Sequence, residues 1–372
     1  MSGGLKSTET AGTLPDCVDE HPRPLRERSS LGVGGTPPYL AQPRTTSELL
    51  DTLRWATRPG APEFHVLGGM SNVVVADHPT SGVIVPRNDD VRAEVVADAR
   101  GVRWVEIVAG AGADLERVVE LGIDHDAVGI ASLSGIPGSA GGAIVQNAGA
   151  YHFKLESFHP RATVLRRSGS QLGWLELEGD ALDLGYRWST FQAPGNTDVV
   201  WRLRLRLAHG PTITVDPRWK EGGLLERLGT MGHPVGSSIS HRVHAEAVLS
   251  LRREKGMAPE FGSDRILTVG SFFKNRASRA DQPEVAEEVR AWRLIKEAGL
   301  SEGQVLVESG TVRLSERHVL AIENVGGASA AEVLMAADRV RSDVGASSGL
   351  WLHPEVRLVD LTWPWVDSVI AP

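Results

Sequence analysis

The stretch Leu133-Ser134-Gly135-Ile136-Pro137-Gly138-Ser139-Ala140-Gly141-Gly142-Ala143-Ile144-Val145-Gln146-Asn147-Ala148-Gly149-Ala150-Tyr151 sets five glycines within fifteen positions, from Gly135 to Gly149. Glycine has no Cβ and tolerates positive φ, so such a segment lets bare backbone approach a ligand or another chain segment. Pro137 fixes a turn, and free N–H groups ahead of a helix start suit the pyrophosphate of a dinucleotide. A tight structural turn beside a packed helix would use the same glycines. Spacing alone leaves both readings open.

A chain of 372 residues exceeds what one core normally serves, and two or three domains are expected. Hydrophobic content of 41% with 23% charged residues is ordinary for a globular protein, and a net charge of −8 argues against a nucleic-acid or anionic-membrane partner. Small molecules are the expected partners. No apolar run approaches the ~20 residues that cross a bilayer, and the first thirty lack a secretion signal's apolar stretch, so a cytoplasmic location is expected. The single cysteine, Cys17, rules out an intrachain disulfide. It falls in a polar leader, residues 1–20, that is expected not to fold.

Thr45-Thr46-Ser47-Glu48 reads as a capping box ahead of Leu49, Leu50, Leu53 and Trp55 and predicts a helix over 46–57. The β-branched runs 64–67 and 73–76 flank Gly68-Gly69-Met70-Ser71-Asn72, a second loop that exposes backbone. Strands are expected at 82–85, 92–96 and 103–109, with a helix over 114–121. Trp201, Leu203, Leu205 and Leu207 alternate with Arg202, Arg204 and Arg206, which predicts a half-buried strand with a cationic outer face. The pattern is α+β. Gly- and Ser-rich sequence from 210 to 240 marks a domain boundary near 210. Beyond it, helices are predicted at 241–253, 284–298 and 329–344, and a last strand at 355–359 precedes Trp363 and Trp365.

Several chemistries are disfavoured. Neither Gly-x-Gly-x-x-Gly nor a Walker loop occurs between a strand and a helix, so a Rossmann domain is not supported. His241 and His244 lack a carboxylate or cysteine partner set; they read as a solvent-facing pair, and no metal is expected. A Gly-x-Ser-x-Gly elbow is missing. In Val269-Gly270-Ser271-Phe272-Phe273-Lys274-Asn275, a hydroxyl beside two aromatics can deliver a proton to a developing carbanion, while Lys274 and Asn275 offer donors to an anion. A capped strand end is the plainer meaning of the same residues. Arg187 in Tyr186-Arg187-Trp188-Ser189-Thr190-Phe191, and Glu355 in Pro354-Glu355-Val356-Arg357, would ordinarily be surface ion-pair residues.

Taken in order, Leu31 to Gly35, Leu67 to Asn72, Ser134 to Tyr151, Tyr186 to Phe191, Gly270 to Asn275 and Leu352 to Val356 resemble the UDP-N-acetylenolpyruvoylglucosamine reductases, flavoenzymes of peptidoglycan precursor synthesis. The resemblance implies an FAD-binding module of the vanillyl-alcohol-oxidase type, built of two α+β subdomains, with a third, α+β domain for substrate. The first subdomain would span 21–88, joined by the C-terminal 353–372, the second 89–209, and the substrate domain 210–352.

By the same resemblance NADPH reduces FAD and is then replaced by the enolpyruvyl sugar nucleotide. Hydride passes to the vinyl methylene carbon. Arg187 and Glu355 would bind the enolate-like intermediate, and Ser271 would protonate it. Glu355 can stand beside an anion only if protonated or engaged by a donor such as Arg187. Tyr186, Lys255, Lys274 and Asn275 would hold substrate, although Lys255 also reads as an exposed helix-end cation. FAD would be held noncovalently by Gly68, Gly69, Met70, Ser71, Asn72, Ser134, Gly135, Ile136, Gly138, Ser139, Gly142 and Asn147, and the protein is expected to be a monomer.

The chain departs from the family pattern at three places. Met70 replaces a small residue and could crowd the cofactor, His152 to Lys154 follow Tyr151, and Trp292 to Ile295 replace a Gly-Trp-Leu-Ile run. No tyrosine lies between 210 and 270, and Trp219 is a candidate for the missing substrate-closing ring. Two other readings stand beside the reductase: a flavin oxidoreductase acting on another nucleotide sugar or enol ether, and a flavin-free paralogue.

Overall fold

The computed structural model describes residues 14–169, 171–257, 267–278 and 290–365. In the first layer, strand Leu40–Ala41 runs parallel to Gly82–Ile84, which runs parallel to Phe64–Val66. Helix Thr46–Ala56 forms as its capping box predicts: Thr45 Oγ1 accepts from the Glu48 N–H at 3.2 Å, and the Glu48 carboxylate accepts from the Thr45 N–H. Residues 14–20 of the segment expected not to fold are structured, and 1–13 lie outside the described residues. Val18–Asp19 pairs antiparallel with Leu40–Ala41, and Cys17 Sγ lies 3.1 Å from Thr52 Oγ1, because Val18 has an apolar cluster to join.

A five-stranded antiparallel sheet follows, in the order 171–178, 161–168, 199–208, 103–110, 91–97. Leu203, Leu205 and Leu207 are buried, as the alternation requires. The opposite face is ion-paired: Arg202 lies 3.2 Å from Asp90, and Arg206 lies over the Trp104 ring. Helix Leu115–Asp124, capped by Asp114, packs Leu115, Val118 and Val119 into this core.

In the C-terminal part, Ala321–Asn324 pairs with both Leu267–Ser271 and Val312–Leu314, and Phe273–Ser278 pairs with Trp351–Pro354. Helices Ala291–Glu297 and Ala330–Ser348 cover these strands. The predicted helix over 284–298 is thus seen from Ala291, and its positions 284–289 lie outside the described residues. The predicted strand 355–359 is instead two strands. Trp351–Pro354 pairs with Phe273–Ser278, whereas Arg357–Val359 crosses to run parallel to Val73–Val75. Glu355 sits in the break.

His241 and His244 are not solvent-facing. With Ala245 and Val248 they form one buried face of helix His241–Glu254, at 3% and 0% exposure. One ring nitrogen of each finds a partner far away in sequence, while each Nδ1 is buried without one. His241 Nε2 lies 2.6 Å from the Gly210 carbonyl, and His244 Nε2 lies 3.1 Å from Ser132 Oγ. Trp219 stacks on His244 at 4.9 Å and is itself buried, so it fills core and does not serve as a closing ring.

Candidate active site

The two glycine loops meet backbone to backbone. A Cβ on Gly69 would stand 2.7 Å from Gly138 Cα, and one on Gly68 would stand 2.5 Å from Ser139 Oγ. Ser71 Oγ donates to the Pro137 carbonyl at 3.0 Å. Packing alone therefore demands glycine at 68 and 69. Gly142 differs. It lies in the first turn of helix Ala140–Val145, and the nearest atom to its Cβ position outside that helix's backbone is Ser139 Oγ, at 3.5 Å. The packing reading holds at Gly69, while Gly142 is not explained by packing.

The joined loops floor a cleft of about 1610 Å³ that Gly68, Gly69, Met70, Ser71, Asn72, Ile136, Gly138, Ser139, Gly142 and Asn147 all line. A pocket for one drug-sized ligand is roughly 300–1,000 Å³, so this cleft has room for a dinucleotide and a second molecule. A floor of peptide groups, with only ordinary contacts at the Gly142 Cβ position, fits FAD. Met70 does not crowd it: at φ +53 its side chain is buried with Leu25, Leu40, Leu67 and Val73 in a separate core. Three expected cofactor ligands stand elsewhere or are committed to the protein. Ser134 is buried and does not line the cleft, and Gly135 N–H donates to Glu116 at 2.5 Å. Asn147 lines the cleft, but its amide donates to the Gly185 carbonyl at 2.8 Å and accepts from the Glu156 N–H at 3.1 Å.

Arg187, Ser271 and Glu355 line the same cleft. Arg187, at φ +56, donates from Nη1 to the Gly149 carbonyl at 3.0 Å, and its Nε lies 2.8 Å from Glu355 Oε1. This is a close ion pair, although the Nε–H is not aimed along the line of contact. The two side chains are only 23% and 12% exposed, so water screens their attraction little. Glu355 is fixed from three sides: its N–H donates to the Phe272 carbonyl at 2.8 Å, and its carbonyl accepts from Asn72 at 3.2 Å and Gln146 at 3.4 Å. Ser271 ends strand Leu267–Ser271, half-buried, just ahead of the fully buried Phe272 and Phe273. Gly270, at φ +75, turns the chain there.

Tyr186, Lys255 and Asn275 also reach the cleft. Asn275 N–H donates to Tyr186 Oη at 3.3 Å, while Asn275 Oδ1 is buried with no partner. Lys255 Nζ donates to the Gly222 carbonyl at 3.2 Å and lies over the Tyr151 ring; burial and the Arg252 charge lower its pKa. Lys274 does not line the cleft. Burial lowers its pKa, the Glu355 charge opposes that, and Arg187 and Arg357 add to it.

Among the further residues that line the cleft and were missed are Gln146, Arg252, His318 and Arg357. Arg357 Nη1 donates to Gln192 at 3.3 Å. Arg252 is 9% exposed, with Nη2 on the Met257 carbonyl and Nε without a partner. Burial and the Lys255 charge push the His318 imidazole down to about 4, which keeps it neutral. Arg357 carried a usable signal, since it stands two positions after Glu355. Gln146 and Arg252 likewise stand close to Asn147 and Lys255, whereas His318 had no such neighbour.

Comparison with known proteins agrees with this geometry. The family model for the C-terminal domain of UDP-N-acetylenolpyruvoylglucosamine reductase matches residues 263–359, and an FAD binding domain matches residues 37–170. The UDP-N-acetylenolpyruvoylglucosamine reductase of Cutibacterium acnes is 33% identical over 365 residues, covering 95% of this chain and 94% of that protein. The Nocardia farcinica protein of the same name is 33% identical over 357 residues, covering 89% and 87%. The crystal structure of the Thermus caldophilus reductase superposes with a TM-score of 0.58 at 24% identity, covering 91% of this chain and 97% of that one. An α+β chain with an FAD-binding domain and this overlap in sequence belongs to the UDP-N-acetylenolpyruvoylglucosamine reductase family of FAD-dependent oxidoreductases.

Proposed function

We propose that the chain uses NADPH to reduce the enolpyruvyl ether of UDP-N-acetylglucosamine to the lactyl ether of UDP-N-acetylmuramate. The observation that carries this reading is the convergence of Arg187, Glu355 and Ser271 on one cleft floored by the two glycine loops. Gly69, Ser71, Gly138 and Gly142 would hold FAD, which when bound would supply the two-electron chemistry that links NADPH to a second ligand in the same cleft.

The residues divide the rest of the work. Hydride arriving at the vinyl methylene leaves negative charge on the neighbouring carbon and its carboxylate. Arg187 offsets that charge, held in place by the Gly149 carbonyl and by Glu355. Ser271 delivers the proton to that carbon, completing the addition of two hydrogens; NADPH leaves as NADP⁺. Lys255, Tyr186 and the unpartnered Oδ1 of Asn275 stand where they can hold the nucleotide sugar's polar groups.

The test mixes FAD-loaded protein, NADPH and the enolpyruvyl substrate. NADPH should be consumed mole for mole with the appearance of a product heavier by two hydrogens. NADPH loss that ignores the substrate would overturn the reading, and turnover of only a different enol ether would reassign the substrate.

A further inference from the structure

The aromatic residues at the end of the described chain pack behind the proposed proton donor. Trp363 meets Phe272 edge to face at 6.1 Å, and Phe272 immediately follows Ser271. Trp363 also stacks on Trp365 at 4.8 Å. Trp365 in turn covers one side of the Arg341 guanidinium, which lies 4.8 Å from its ring centre and 4.4 Å from that of Trp351. Arg341 is 5% exposed and its Nε has no hydrogen-bond partner, so the two indoles are its main electrostatic company, with Asp338 nearby. The tail is thereby pinned to helix Ala330–Ser348.

Phe272 is equally fixed on its backbone side. Its N–H donates to the Leu320 carbonyl at 2.7 Å, and its carbonyl accepts the Glu355 N–H at 2.8 Å. Phe272 thus follows Ser271 in the chain, bonds the main chain of Glu355 through its carbonyl, and carries a buried ring that meets Trp363 edge to face. We propose that Trp363 is a positioning residue: pressed onto Phe272 by the Arg341 sandwich, it sets the alignment of Ser271 with Glu355 for protonation of the substrate. This rests on the role proposed above for Ser271.

The mechanism of the effect is geometric. Removing Trp363 frees the edge of Phe272, which can then tilt into the vacated space and carry the adjoining Ser271 backbone with it. Proton delivery requires the hydroxyl to point at one carbon, whereas reduction of bound FAD by NADPH does not use Ser271. The two half-reactions should therefore respond differently.

The test compares Trp363→Ala, Trp363→Phe and Ser271→Ala in the full-length, FAD-loaded protein, with Trp174→Ala as a control, since Trp174 is 38% exposed on the five-stranded sheet. Flavin reduction by NADPH and its reoxidation by substrate are followed separately. In Trp363→Ala, reoxidation should slow by roughly 10- to 100-fold, the scale of a misplaced reacting group, with NADPH reduction changed far less. The solvent deuterium isotope effect on reoxidation should rise, Trp363→Phe should recover most of the rate, and a crystal structure of Trp363→Ala should show Ser271 Oγ displaced. If Trp363→Ala does not fold, Trp363→Leu replaces it, since leucine keeps apolar volume and loses the ring edge. Equal slowing of both half-reactions, or no slowing, would overturn the positioning role. Should Ser271→Ala itself leave reoxidation unchanged, the reading of Ser271 falls first, and the two failures are told apart.

Discussion

Asn72 Nδ2 donates to the main-chain carbonyl of Glu355 at 3.2 Å, so the last residue of the first glycine loop holds the carboxylate-bearing residue of the C-terminal strand. The same two segments exchange a second bond, from Arg357 N–H to the Asn72 carbonyl at 3.1 Å. The proposed cofactor floor and the Arg187–Glu355 pair are thus tied together by two hydrogen bonds. Replacing Asn72 by Ala removes a half-buried hydrogen bond and should cost about 1 kcal/mol of stability. Asn72→Asp should cost more, because it sets a carboxylate oxygen against a carbonyl oxygen. Urea unfolding of both variants measures this, and an Asp variant as stable as the Ala variant would contradict the contact.

Arg187 performs two tasks with one guanidinium, anchoring on Gly149 while its Nε faces Glu355. A lysine has a single ammonium and cannot hold both positions. Arg187→Lys should therefore lose kcat for substrate reduction by about 10²-fold, close to the loss in Arg187→Ala, on the scale of removing one fixed donor from a charge-stabilising site. A lysine variant with nearly full kcat would show that charge alone suffices.

Ser271→Ala should leave reduction of the flavin by NADPH intact and slow its reoxidation by substrate ~10²- to 10⁴-fold, the range for loss of a general acid. Rapid-mixing absorbance resolves the two phases. Comparable slowing of both would remove Ser271 from the proton step.

Two glycines of the cleft separate packing from ligand contact. At Gly69 an added methyl collides with Gly138 backbone, so Gly69→Ala should lower both thermal stability and flavin content. At Gly142 the added methyl meets only Ser139 Oγ at ordinary contact distance, and alanine suits a helix better than glycine. Gly142→Ala should keep or raise the melting temperature of the FAD-free protein yet weaken FAD binding. Unchanged FAD affinity, measured by titration into the FAD-free protein, would mean that the cofactor does not lie over this turn.

The sequence was most legible where local chemistry decides structure. The capping box at Thr45, the alternation from Trp201 to Leu207 and the bare loops at Gly68 and Gly138 all formed as their residue types require. Polar residues whose meaning depends on distant partners were less legible. The spacing of His241 and His244 defines one helix face, but its burial comes from partners brought in by the fold, among them Trp219, Ser132 and Gly210. The amide of Asn147, offered as a cofactor ligand by resemblance, is bonded to Gly185 and Glu156, partners that its local sequence does not show. The break at Glu355 could not be read at all, since strands centred some 200 residues apart, Val73–Val75 and Phe273–Ser278, take the chain on either side of it.

His244 gives the molecule a pH dependence whose sign follows from its surroundings. The imidazole is fully buried, stacked on Trp219, bonded through Nε2 to Ser132, with His241 one turn away as the neighbouring titratable group. Burial, and then the His241 charge, push its pKa down from 6.5 to about 4. In the unfolded chain the same group takes up its proton near pH 6.5, so below that value the unfolded state binds more protons than the folded one. The stability held in the neutral ring is complete above pH 6.5 and declines as pH falls towards 4, by a total on the order of 3 kcal/mol. Unfolding by urea at a series of pH values, at fixed flavin loading, should show this slope in the parent protein. His244→Gln should be less stable at neutral pH, because it leaves a gap against Trp219, but should show a shallower slope between pH 6.5 and 4. Identical slopes in the two proteins would assign the acid sensitivity to other groups.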